Sequence, residues 1–181
     1  MEILLQIEKN DFVKIIQTYI DKYIQIEYCF LKRSGRVHIL NKIFEEPSKE
    51  SLWYLLNVLA NIKLSPIILY WTIYVLEKLQ SKSMIMYDIY NIHYIIPIIY
   101  DIGSKLVEDN GYAIQFYMDM IHVTFEYLVK SEMCIFLKIL KIMNPYDVFL
   151  NIDPRIHKLV IDVQQNKNQN KNQNTCTKDV S

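Results

Sequence analysis

Three glycines and five prolines are too few breaks in 181 residues for most kinds of fold. Sandwiches and barrels need turn formers between successive strands, and phosphate-cradling loops need clustered glycine. What remains is a chain whose Ile-, Leu- and Tyr-rich stretches run on between rare interruptions. Its hydrophobic share, 51%, is ample for a core. A domain of about 150 residues buries roughly two-thirds of its unfolded surface. The expected fold is all-α.

The apolar periodicity agrees, because residues three and four apart share a helix face. Phe12, Ile15, Ile16, Tyr19, Ile20 and Tyr23 recur at that spacing after Asn10, a candidate cap. Ser34-Gly35 breaks the pattern, and Val37 to Phe44 is a short apolar piece ended by Pro47. Ser48 is placed to cap a helix carrying Leu52, Leu55, Leu56 and Leu59. Ser65-Pro66 opens another, with proline in the first turn, where its missing N–H is not needed. That helix is expected to run to about Leu79, with a turn at Ser81-Lys82-Ser83. The next starts near Asp88 or Asn91 and reaches Val107, with Pro97 predicted to kink it or delay its start. Asp109-Asn110-Gly111 ends it, and a shorter helix follows from about Ala113. The last, Phe125 to Ile142, places Leu128, Val129, Ile135, Phe136, Ile139 and Leu140 on one face and stops at Asn144-Pro145. From Gln164 the chain turns to Asn, Gln and Lys. Such a composition cannot offset its ordering entropy and is predicted to be disordered.

Twenty basic residues balance twenty acidic ones, which argues against bulk binding of nucleic acid. Leu64 to Leu76, the longest greasy stretch, falls short of the roughly 20 apolar residues of a membrane span. The N-terminus has acids where a signal peptide needs positive charge. Cys29, Cys134 and Cys176 suggest neither a disulfide framework nor zinc spacing, so an intracellular site, cytoplasm or nucleus, is expected. His38, His93, His122 and His157 include no pair at zinc-ligand spacing. His93 with Asp88 is the nearest thing to an acid–base pair, and no nucleophile elbow or Walker loop accompanies it. Neither catalysis nor a metal or small-molecule cofactor is expected.

One block goes beyond generic helicity. Asn91-Ile92-His93-Tyr94-Ile95-Ile96, followed by Ile102-Gly103-Ser104-Lys105-Leu106-Val107-Glu108-Asp109-Asn110, resembles the third helix of a cyclin box. There an apolar helix ends in Ala-Ser-Lys, an apolar pair and acids. The Asn-x-His start and the acid pair look most like the P-type (phosphate-pathway) and cyclin Y-like group. Pro47-Ser48 and Leu64-Ser65-Pro66 to Lys78 are similar to the openings of the first two helices of that box. The resemblance implies a five-helix cyclin box over 44–150 with an additional N-terminal helix in the 1–43 extension. A C-terminal segment, 151–163, and the tail, 164–181, complete the chain.

The resemblance further implies a regulatory subunit of the cell-cycle kinase type. Cyclins bind the C helix of a cyclin-dependent Ser/Thr kinase and hold its glutamate against the catalytic lysine. The kinase-binding lysine carries over to Lys105, with Leu106 as its apolar neighbour, the supporting glutamate to Glu132 and an apolar contact to Phe136. Lys105→Ala is then expected to spare the fold and weaken kinase binding, with Lys138, taken as solvent-facing, as the control. Departures include Lys141 where an aromatic is usual, Asn57 or Leu56 for the first-helix arginine, and Lys78 for the second-helix one. A one-residue shift would put Met133 at the glutamate position. No second box is expected after Asn144. The alternative is a helical-bundle interaction module of the apoptosis-regulator kind, with a greasy central hairpin and a groove for an amphipathic helix.

Overall fold

The computed structural model describes residues 8–27, 48–62, 66–107, 114–121, 123–147 and 153–162. These residues form seven helices and one two-residue strand pair, so the chain is all-α. The predicted tail, Ser34-Gly35, Glu108-Asp109, His38, His122, Cys29 and Cys176 lie outside the described residues.

Helix α1 spans Lys9–Tyr23 and buries Phe12, Ile15, Ile16, Tyr19 and Ile20, the stripe its spacing predicts. Its cap is not Asn10. Glu8 holds the cap position, and its carbonyl accepts from the Asp11 and Phe12 N–H groups at 3.0 Å. Ser48 does cap α2 (Lys49–Asn61). Its hydroxyl accepts from the Ser51 N–H and the Ser51 hydroxyl accepts from the Ser48 N–H, a reciprocal box. Leu52, Leu55, Leu56 and Leu59 are all buried. Helix α3 (Pro66–Ser81) is buried nearly all round, as expected of an element packed between α1, α2, α4 and α6. It ends two residues later than expected, in a turn at Lys82–Ser83 where Ser83 takes a left-handed φ of 54°.

The periodicity did not reveal one element. Ile26–Glu27 (β1) pairs in parallel with Tyr87–Asp88 (β2), tying the exit of α1 to the entrance of α4. Two residues are too short to leave a period-2 signature.

Helix α4 (Ile89–Val107) is the centre, packed against α2, α3, α5 and α6. Asp88 caps it through Oδ1, which accepts from the N–H groups of Tyr90 (3.0 Å) and Asn91 (2.7 Å). Pro97 does not delay its start; the helix is continuous through this buried proline. Ile98, Ile99 and Ile102 are buried, and Ile95 is half-buried at the core margin. Helices α5 (Ile114–Ile121) and α6 (Phe125–Ile142) follow, the second capped by the Thr124 hydroxyl. A seventh helix, α7 (154–162), occupies most of the predicted C-terminal segment and adds Ile156, Leu159 and Val160 to the common core. No helix among the described residues is long and apolar enough to cross a membrane.

Candidate functional site between helices four and six

The C-terminal turn of α4 is placed by a glycine. A Cβ built on Gly103 would lie 2.7 Å from Trp71 Cε3 and 3.3 Å from Ile68 Cγ2, so α3 and α4 approach closely only because that atom is missing. Trp71 has little freedom to yield. It is fully buried, and its indole N–H donates to the Pro145 carbonyl at 2.9 Å. Ser104, also buried, donates to the Asp101 carbonyl at 2.8 Å. Lys105 is thereby carried to the α4–α6 edge.

There it meets Glu132 of α6. Lys105 Nζ donates to Glu132 Oε1 at 2.6 Å and to Asp101 Oδ2 at 2.8 Å. Met133, the alternative one residue on, is 57% exposed and faces away from the core. Leu106 and Phe136 are both half-buried and packed against the core. Burial alone would lower the Lys105 pKa; the hydrogen bonds and charges of Asp101 and Glu132 outweigh it and raise the value. Burial pushes the Asp101 carboxyl up, and Lys105 offsets that only in part. Two carboxylates therefore share one ammonium. Asp101 escaped sequence reasoning, although an acid one turn before Lys105 in an otherwise apolar run was a usable signal.

The rest of α6 departs from expectation in a useful way. Leu128, Ile135 and Ile139 are buried, but Val129 and Leu140, placed on the same face by their spacing, are exposed. With Phe125, Met133 and Leu137, also exposed, they form a second apolar stripe along the helix. At 100° per residue, Glu132 and Phe136 mark the boundary between the core face and this stripe. An α6 apolar on two faces has more greasy surface than one core can cover, and the excess stands beside Lys105.

Other candidates come apart. His93 is buried with Nδ1 donating to the Ile89 carbonyl at 2.6 Å and Nε2 2.9 Å from the Ser51 hydroxyl, while Asp88 is occupied as the α4 cap. The two therefore do not form an acid–base pair. Lys138 is half-buried, its ammonium 3.4 Å from the Met84 carbonyl, so it is not the solvent-facing control expected. Asn57 donates to the Trp53 carbonyl, and Lys78 lies 4.9 Å from the Tyr74 ring centre. Among the described residues no group of three His, Cys, Asp or Glu is arranged to hold a metal.

Comparison of the chain with protein-family models, curated proteins and solved structures finds no match.

Proposed function

We propose that this chain is a non-catalytic, cyclin-like regulatory subunit, acting in the cytoplasm or nucleus, that docks the C helix of a cyclin-dependent Ser/Thr kinase across α4 and α6. In this reading α2 to α6 are the five helices of a single cyclin box, and α1 is the additional N-terminal helix. The observation that carries it is the Lys105–Glu132 pair at the edge of the exposed stripe Phe125, Val129, Met133, Leu137 and Leu140. A stripe of that length suits the apolar face of one amphipathic helix. Lys105 beside it supplies N–H donors for carbonyls at the end of that helix. Holding a kinase C helix there keeps its glutamate on the catalytic lysine, which is how a protein without catalytic groups raises a kinase's rate. The four helices around α4 support this reading over a bundle built on a central hairpin.

The experiment is titration of the purified protein into purified cyclin-dependent kinases, with phosphorylation of a peptide substrate as the readout. Stimulation of one of them is the expected result. Binding without stimulation would favour the interaction module, and failure to bind any would contradict the kinase reading.

A further inference from the structure

Asp101 has no solvent exposure, yet only one of its carboxylate oxygens is used. Oδ2 accepts from Lys105, while Oδ1 is buried with no hydrogen-bond partner among the described residues. A half-satisfied carboxylate in a core lowers stability, and an apolar side chain of similar size would do better. Folding alone therefore does not account for it. What it does is hold Lys105 from beneath. One turn of helix separates the two residues, so Asp101 anchors the ammonium to α4 while Glu132 anchors it to α6. An ammonium has three N–H donors, and these two contacts use two. Lys105 is 42% exposed on its side chain, so the third faces outward.

We propose that Asp101 is the positioning residue of the α4–α6 docking surface, fixing Lys105 so that its one remaining donor meets an uncharged backbone carbonyl of the partner helix. Two carboxylates against one ammonium leave an excess negative charge at this point. A partner carboxylate is repelled there, whereas the carbonyl end of a helix bearing its own basic residues is accepted. The identity of the partner helix rests on the kinase reading; the geometry beneath Lys105 does not.

The test follows Lys105 ¹⁵Nζ and Asp101 ¹³Cγ by NMR through an alkaline pH titration, in the wild type and in Asp101→Asn. Asp101 and Glu132 are the charged groups acting on Lys105, so Glu132→Gln is included. The Asp101 signal is expected to shift with the same midpoint as Lys105. In Asp101→Asn that midpoint is expected to fall while the melting temperature holds or rises, a combination that a purely structural residue would not give. An Asp101 signal flat through the Lys105 transition, or an unmoved midpoint in the variant, overturns the proposal. Should Asp101→Asn fail to fold, the wild-type titration decides alone.

The second readout is affinity for whichever kinase the panel identifies, where Asp101→Asn is expected to bind about tenfold more weakly. Unchanged affinity would remove Asp101 from docking and leave the kinase reading standing. No kinase binding by the wild type would overturn that reading, with the titration still deciding whether Asp101 positions Lys105.

Discussion

Lys105 cannot be removed without consequence, because it neutralises a buried acid. In Lys105→Ala, Asp101 keeps its charge and loses its only hydrogen-bond donor among the described residues. The expectation that this substitution spares the fold overlooked Asp101. Half of Lys105 faces water, which softens the loss, so about 1–3 kcal/mol is predicted. The pH dependence identifies the cause. An acid whose folded pKa lies above its unfolded value destabilises the protein as pH rises past the unfolded value. The deficit of Lys105→Ala should therefore be largest at neutral pH and shrink near pH 4, as urea melts at the two pH values will show. Gly103→Ala is the companion test. Alanine ordinarily favours a helix over glycine by up to about 1 kcal/mol, but here its methyl meets a fully buried tryptophan ring held at its N–H. The clash should win, with a net loss of about 1–3 kcal/mol in denaturant melts. Residues of this kind were half legible. The Gly-Ser-Lys run stood out in the sequence, but a one-residue shift turns a helix by 100°, so only the fold could show that the side chain reaching Lys105 is Glu132.

At the scale of elements, one side chain ties α7 to two other helices, beyond its buried apolar residues. Arg155 donates twice to Glu77 on α3, at 2.8 and 2.9 Å, and to Asp153 at 2.5 Å, while its guanidinium lies 4.7 Å from the Tyr23 ring centre on α1. Tyr19 of α1 donates to the same Glu77 carboxylate. Three helices thus meet at a planar fork that lysine cannot imitate. Arg155→Ala should cost about 1–2 kcal/mol, and Arg155→Lys nearly as much. Hydrogen exchange should then quicken along 154–162 and the last turn of α1, leaving α4 protected. This clasp was illegible in the sequence because its members lie 58 and 78 positions apart. Helix positions were far more legible. The limits of α6 agree with its spacing and its stop at Asn144-Pro145. Helix α7 did not announce itself, since Ile156, Leu159 and Val160 are few enough to pass for a loop. The exposed stripe of α6 was hidden for the opposite reason, since an exposed apolar residue looks in sequence like one facing the core.

For the molecule as a whole, the first loss of stability as pH falls below neutrality should trace to His93, where α2 and α4 meet. Burial lowers its pKa, and the contact with the Ile89 carbonyl opposes this only in part. With the folded value below the ordinary one of about 6.5, the unfolded chain binds more protons in the interval between them. Stability is then complete above that interval and falls as pH drops through it. His93→Gln should flatten the slope of melting temperature against pH just below about 6.5. The central claim, however, concerns the surface of α6. Met133 is exposed on the stripe beside Glu132, and no core contact depends on it. Met133→Asp should keep the melting curve while placing a charge on the proposed docking stripe. The decisive measurement is stimulation of the responding kinase by the wild type, Met133→Asp and the remote control Lys158→Ala, exposed on α7. The account predicts that the concentration for half-maximal stimulation rises at least tenfold in Met133→Asp, a loss of about 1.4 kcal/mol or more at the interface, and is unchanged in Lys158→Ala. Equal stimulation by all three, with Met133→Asp fully folded, would contradict it.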